Sequence, residues 1–456
     1  MAKTQYKCTN CQYISIKWAG CCSGCGEWNS LIEGAVALSK QRSSLRTQTV
    51  ASLSLGAELI SLANIPSGTA KRFFSDIREW DRVLGGGILA GSFIILTGDP
   101  GIGKSTLLLQ VADRLAKDQR VFYFSSEESL QQLKARAQRL NVHAENLLFS
   151  DQANLERIIA AAVEHKPDVL VLDSIQNCYL SDNSEAIPGT VAQLREAGFA
   201  LMKLAKENNI AVLVSGHITK DGNMAGPKVL EHLVDAVFYL QAEDRFQTRI
   251  LRSVKNRFGE VNEVGFFQME PEGLVEMSNI NEMLLSEASS SPGSVLVCSV
   301  EGSRPLLLEL QALCVTTKFG VAQRVVTGLE PKRVVLIAAI LEKYLHVKLS
   351  SQDIFFKVSG GFKMKESAAA DLGIALALLS SYFQKPLPQK SVAIAEMSLT
   401  GQVKPTNQIN LIIKEVEKFR LENIFVAKRQ QVKTTCQLVG FDSVYQLLKL
   451  FPEEGV

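Results

Sequence analysis

At 456 residues the chain is too long for a single hydrophobic core, so two or three domains are expected. Its 46% hydrophobic and 21% charged residues exclude a fibrous or extensively disordered chain, and 49 Lys+Arg against 47 Asp+Glu leave a charge of +2 that neither requires nor excludes nucleic acid. No apolar run approaches the roughly 18 residues needed to span a bilayer, and the opening Met-Ala-Lys-Thr-Gln-Tyr-Lys-Cys lacks a signal-peptide core, which predicts a cytoplasmic protein with no membrane partner.

Five of the nine cysteines fall within the first 25 residues. In a reducing cytosol such a cluster reads as metal ligands, and the scattered Cys178, Cys298, Cys314 and Cys436 read as small core residues. Cys8-x2-Cys11 and Cys22-x2-Cys25 form two knuckles suited to a tetrahedral Zn²⁺ site of four thiolates, with no open position for catalysis. Cys21 is a second candidate beside Cys22, but only Cys22 keeps the x2 spacing to Cys25. Residues 1–33 are therefore expected to form a C4 zinc module, and 34–72, a Ser/Gln/Arg/Ala stretch without strong period, a linker.

From 73 to 285, short β-branched runs alternate with helical patterns, predicting a parallel sheet covered by helices. Strands are expected at Phe93–Thr97, Val121–Ser125, Val169–Asp173 and Ala211–Ser215, and a helix at Thr106–Lys117. Between the first strand and that helix lie Gly98, Asp99, Pro100, Gly101, Ile102, Gly103, Lys104 and Ser105, followed by Thr106, in the spacing of a P-loop. Its glycines let backbone N–H groups turn toward phosphate oxygens at a helix N-terminus; Lys104 is expected at the β/γ-phosphates of ATP and Ser105 on Mg²⁺. Asp173, ending an apolar strand, is the expected second Mg²⁺ residue. Glu127 is the first choice for the carboxylate that activates water, the alternative for Glu127 and Glu128 being a solvated pair at a helix start. His217, in Ser215-Gly-His217, ends the next strand, where a polar side chain can sense the γ-phosphate.

Lys255-Asn-Arg257-Phe-Gly259 is the most distinctive polar cluster. Period two on a strand puts Lys255 and Arg257 on one face, able to reach one target. That target is either the ATP of a neighbouring subunit, completed in trans, or DNA phosphate, to which Arg245, Arg249 and Arg252 just upstream also point.

Ser286-Glu-Ala-Ser-Ser-Ser-Pro-Gly293 is the clearest composition break, and a further α/β unit is expected over 294–456. Strands are expected at Ser294–Val300 and Leu306–Val315, with helices near 331–344 and 367–382.

Together with Gly26-Glu-Trp-Asn29, Asp81-Arg-Val-Leu-Gly-Gly-Gly87 and Gly216-His-Ile-Thr-Lys220, these motifs make the whole chain resemble the RadA (Sms) family of bacterial DNA repair proteins. The resemblance implies an α/β RecA-like P-loop core and homo-hexameric rings resembling replicative helicases. It further implies ATP-driven movement on single-stranded DNA in branch migration of recombination intermediates, with branched DNA and a recombinase or other repair proteins as partners. It also carries Lys255 and Arg257 over as nucleotide-linked residues. The last unit resembles the domain of Lon-type proteases through Glu301-Gly-Ser-Arg-Pro305 and Gly401-Gln-Val-Lys-Pro405. There the serine position of the family's Ser–Lys dyad falls near Asp371 and its lysine position on Asn410, with Ser367 off register, so a non-proteolytic scaffold is expected. Its Lys332, Arg333, Lys343, Lys348, Lys357, Lys363 and Lys365 can contact DNA or simply be solvated. Two other readings fit part of the pattern: an ATP-dependent protease, and a regulatory ATPase of the circadian-clock kind acting through protein partners.

Overall fold

The structure is a computed structural model that describes residues 5–11, 14–15, 18–34, 60–61, 64, 71–181, 189–217, 230–242, 248–261, 263–318, 320–364 and 368–452. Most of the expected linker 34–72, with Lys220, Arg245, Lys365 and Ser367, lies outside the described residues. Contacts divide the chain into two compact units, Met1–Thr69 and Ala70–Val456. Among the described residues no helix is long and apolar enough to cross a membrane.

The first unit carries a small antiparallel sheet ordered Ile14–Ser15, Gln5–Cys8, Leu31–Gly34. A sheet this size cannot bury a core of its own, and Cys8 and Cys22 make up its small buried cluster.

The second unit contains two large sheets. The first has nine strands, ordered Gly273–Glu276, Val264–Glu270, Thr248–Asn256, Ala236–Ala242, Phe93–Gly98, Ala211–His217, Val169–Asp173, Val121–Ser125 and Leu147–Ser150. The six from Ala236–Ala242 to Leu147–Ser150 are parallel, in keeping with the alternation of apolar runs and helices. The other three are antiparallel, an extension that the alternation does not foretell. Short connections join these last strands, leaving no room for the crossover helix that a parallel pair requires. Fully buried runs such as Val169–Asp173 are covered on both faces: Ile94 and Leu96 pack toward the helix Lys104–Leu115, and Phe93 and Ile95 toward the helix Val191–Asn208.

The second sheet has seven strands, ordered Arg324–Thr327, Gln352–Val358, Arg304–Thr316, Ser294–Glu301, Ser391–Ile394, Asn423–Ala427 and Gln437–Phe441. The helix Asp371–Phe383 is buried from Asp371 to Ser381, as expected of a helix apolar all round. It begins at Asp371, four residues after the sequence-based start, because Ala368–Ala370 form a 3₁₀ turn. The core of this sheet also takes in Ile250, Val264, Phe266, Ile280 and Leu284 from the preceding region, so apolar packing runs straight through the composition break at 286–293.

Candidate nucleotide site and zinc centre

The P-loop leaves the strand Phe93–Gly98 at the middle of the nine-stranded sheet and closes into the helix Lys104–Leu115. Gly101 and Gly103 have φ of 75° and 112°, a region that side chains with a Cβ rarely adopt. A Cβ on Gly103 would also lie 2.8 Å from Met269 Cε, so the loop packs too closely there to admit a side chain. Gly103 caps the helix, which therefore starts at Lys104, two residues earlier than the periodicity predicts. Ser105 and Thr106 sit in its first turn, and Asp99, Pro100 and Ile102 complete the loop.

The Lys104 side chain is buried, and its ammonium donates to the carbonyls of Gly98 and Asp99 at 3.0 and 2.9 Å. Burial pulls its pKa below the ordinary lysine value, while Asp173, Glu127 and Asp99 act in the opposite direction. Asp173 ends its strand beside the loop and is held by two hydroxyls: Tyr123 donates to Oδ2 at 2.9 Å and Ser215 to Oδ1 at 2.5 Å. The peptide bond after it, Asp173–Ser174, is cis. Burial, reinforced by the Asp173 charge, raises the Tyr123 phenol well above its ordinary value, so it stays a donor.

The two glutamates after Val121–Ser125 are used differently. Glu128 pairs with Arg136 at 2.5 Å and its N–H is held by Ser125 Oγ at 3.1 Å, a helix-start arrangement. Glu127 accepts a short hydrogen bond from Ser174 Oγ and lies within the field felt by Lys104. His217 is the last residue of its strand and pairs in register with Gly98; its side chain lies outside the described residues.

Lys255 and Arg257 lie at the opposite end of the strands from the P-loop. Arg257 N–H donates to Asp235 O at 3.1 Å, and its guanidinium lies 3.5 Å from the Asp235 carboxylate. That carboxylate accepts from Phe93 N–H at 3.0 Å, where the P-loop strand begins. Five residues of strand, about 17 Å, then separate Arg257 from Gly98. The register shifts between Val237 and Phe238 and leaves Val254 as an extra residue just before the pair, so Lys255 and Arg257 keep their own spacing of two and both reach the segment 231–235. The Lys255 ammonium turns inward to the carbonyls of Glu231 and Val234, and burial, then Arg257, lowers its pKa. Arg257 remains largely exposed, at 61% of its side chain.

The two described upstream arginines are engaged internally: Arg249 Nε donates to Ile102 O in the P-loop at 3.1 Å, and Arg252 pairs with Glu301 at 2.7 Å. Tyr123, which no motif pointed to, thus joins the candidate site, together with Ser215 and Arg249, which the sequence named only for other roles. Each belongs to an otherwise ordinary strand, and only the pairing of strands brings it to the loop.

In the first unit the Sγ atoms of Cys8, Cys11, Cys22 and Cys25 all lie within 4.8 Å of one another, with Cys8–Cys25 at 3.7 Å and Cys11–Cys22 at 3.6 Å. Four Zn–S bonds of about 2.3 Å in a tetrahedron put the sulfurs about 3.8 Å apart, so the set fits zinc. The Cys11 backbone N–H, then the Ser30 hydroxyl, hold the Cys8 thiol down to about 6, whereas at Cys25 the lowering by the Glu27 N–H is outweighed by the Cys11 thiol and burial, which push it up to about 12. All four sulfurs therefore become thiolates together only with a metal's charge among them. Cys21 instead directs its thiol to Gly26 O at 3.1 Å.

At the landmark positions of the last domain, Asp371 is buried, accepts from Arg333 Nε at 2.6 Å and from Met397 N–H at 3.1 Å, and Asn410 is exposed on a helix. Lys332, Lys343, Lys348, Lys357 and Lys363 are exposed, whereas Arg333 is committed to Asp371.

Family models match residues 62–223 as an AAA domain, 6–33 as a rubredoxin metal binding domain and 320–430 as the subunit ChlI of Mg-chelatase. Among solved structures, the RadB recombinase is matched over its whole length by 45% of this chain, at 21% identity and a TM-score of 0.37. The DNA repair protein RadA of Listeria monocytogenes is 42% identical over 98% of this chain and 97% of its own length. The RadA protein of Bacillus subtilis is 42% identical over 93% of each, and that of Chlamydia pneumoniae 39% over 98% of each. With a zinc ribbon, a P-loop ATPase core and a ChlI-like C-terminal domain matched in this order at such identity and coverage, the chain belongs to the RadA family of bacterial DNA repair proteins.

Proposed function

We propose that this chain is a Mg²⁺-dependent, DNA-stimulated ATPase that moves along single-stranded DNA and processes branched recombination intermediates as a homo-hexameric ring. The observation that carries the reading is the convergence of Lys104, Asp173 and Glu127 on one loop, with Arg257 exposed at the opposite end of the strands. Bound ATP and Mg²⁺ supply the transferable phosphoryl group and its charge neutralisation. The P-loop amides bind phosphate oxygens, and Lys104 exchanges the carbonyls of Gly98 and Asp99 for the β/γ-phosphates. Ser105 and the hydroxyl-oriented Asp173 hold the magnesium, while Glu127 orients the attacking water and accepts its proton. Arg257, too far to serve its own P-loop, acts on the nucleotide of the next subunit, with Lys255 fixing the segment from behind.

The domain scheme in this reading is a zinc module at 1–33, a linker at 34–72, an ATPase domain at 73–285 and a Lon-like domain at 294–456 that acts as scaffold. Pairing of Asp371 with Arg333 favours that role over proteolysis, since a carboxylate stands at the nucleophile position. DNA contact by Arg257 is the second reading, favoured by its exposure.

The test combines Lys104→Ala and Arg257→Ala subunits. Each alone is expected to lose DNA-stimulated hydrolysis at least a hundredfold, and mixed rings to recover part of it. Hydrolysis retained by Lys104→Ala would sink the P-loop assignment, and strictly additive loss in mixtures would sink the trans role.

A further inference from the structure

The turn between the first two strands of the C-terminal sheet, Glu301-Gly-Ser-Arg304, packs into the ATPase core against the strand Thr248–Asn256 and the helix Arg78–Val83. Three carboxylates and three guanidiniums meet there. Arg304 pairs with Glu79 at 2.7 Å, Arg82 with Glu79 at 2.9 Å and with Glu263 at 2.8 Å, and Arg252 with Glu301 at 2.7 Å. The backbone joins in: Ser303 N–H donates to Glu263 at 2.7 Å, and Arg304 also donates to Ser278 O at 3.0 Å and lies over the Phe266 ring. Buried ion pairs add little net stability compared with apolar packing of the same volume, but their directional bonds fix geometry.

What they fix here is the strand Thr248–Asn256 and the helix Arg78–Val83. The strand carries Arg249 on its own P-loop, Arg252 on the turn, and then Lys255 and Arg257 at its far end. The helix carries Glu79 and Arg82, and its last carbonyl, Val83 O, accepts from Asn256 Nδ2 at 3.3 Å. Just beyond it, Gly85 lies so close to Gly259 that a Cβ on either would fall 2.6 Å from the other's Cα. Both elements that seat Lys255–Gly259 are thus anchored on the same turn of the C-terminal domain.

We propose that the Glu301–Arg304 turn is a positioning clamp: by fixing Arg252 and the helix Arg78–Val83 it sets the alignment of Arg257, so the C-terminal domain governs ATP turnover without touching nucleotide. The inference rests on the reading of Arg257 given above. Glu301 and Arg304 are positioning residues, and their loss is expected in kcat rather than in nucleotide affinity.

The experiment uses the full chain with Glu301→Arg, Arg252→Glu, the double swap, the milder Glu301→Gln, and Arg257→Ala as reference. It measures DNA-stimulated turnover, binding of a fluorescent ATP analogue, and thermal melting. Each single charge reversal is expected to lower kcat about tenfold with the analogue's Kd within about twofold, and the swap to regain most of that loss. Glu301→Gln, which keeps shape and hydrogen-bonding capacity, is expected to lose about threefold and guards against reversals that fail to fold. Wild-type kcat in folded Glu301→Gln and Glu301→Arg overturns the clamp, as does a swap that melts like wild type yet stays as inactive as its parents. If Arg257→Ala is inactive while Glu301→Arg is fully active, only the clamp fails. If Arg257→Ala turns over at the wild-type rate, the reading of Arg257 fails and the clamp with it.

Discussion

Asp173 is oriented by Tyr123 and Ser215, one hydroxyl to each carboxylate oxygen. A carboxylate so tethered presents its remaining lone pairs in one direction, which suits a metal that demands near-ideal octahedral geometry. Removing a hydrogen bond to a charged group costs about 1.5–3 kcal/mol. Tyr123→Phe is therefore expected to raise the Mg²⁺ concentration for half-maximal ATP hydrolysis about tenfold with little change in saturating rate; titration of hydrolysis against Mg²⁺ checks it, and an unchanged midpoint would remove Tyr123 from the site. Asp173 was legible in the sequence because an apolar strand ending in an acid after a P-loop is a pattern along the chain. Tyr123 was not, because an aromatic in a buried strand looks the same whether it packs or donates. Register decides, and register between Val121–Ser125 and Val169–Asp173 is a property of the sheet.

At the scale of elements, strands and helices with clear periodicity matched expectation to within a few residues, as Val121–Ser125, Val169–Asp173 and Pro331–Leu345 illustrate. The antiparallel extension Thr248–Glu276 escaped notice because half-buried strands joined by short turns carry a weaker signal than the βαβ alternation. The bulge at Val254 escaped for the same reason. The glycines of this region do have a legible cost. Arg72 holds the carbonyls of Gly85, Gly86 and Gly87 and, through its other amine, that of Phe258, at 3.2–3.4 Å, leaving no slack where Gly85 meets Gly259. Gly259→Ala would press a methyl against Gly85 Cα, and overpacking of this kind costs about 1–3 kcal/mol. A lowered melting temperature together with reduced DNA-stimulated turnover is expected, and wild-type behaviour in both would show that the segment can yield.

At the scale of the molecule, composition located the break at 286–293 but not its meaning. Phe266 and Leu284 share a core with Val297 and Leu308, so the two sheets of Ala70–Val456 are joined by apolar packing as well as by charge. Low-complexity residues mark where the chain turns, and say nothing about how much surface is buried on either side. Ring assembly and DNA partnership were expected only through resemblance, because a balanced charge and scattered lysines have no spacing that specifies them.

The burial of the charged clamp has one more consequence. Glu79 and Glu263 are each 5% exposed, whereas Lys332, Lys343, Lys348, Lys357 and Lys363 face solvent. Mobile ions screen exposed charges over a Debye length that shrinks from about 8 Å at 0.15 M to about 3 Å at 1 M, but they reach sequestered pairs poorly. The protein therefore holds two electrostatic systems with different responses to salt. Added KCl is expected to abolish stimulation by DNA at concentrations where DNA-free hydrolysis continues unchanged, and the slope of DNA affinity against log salt then counts the phosphates engaged. Parallel decline of both rates would instead mean that the alignment of the nucleotide site is itself open to solvent ions.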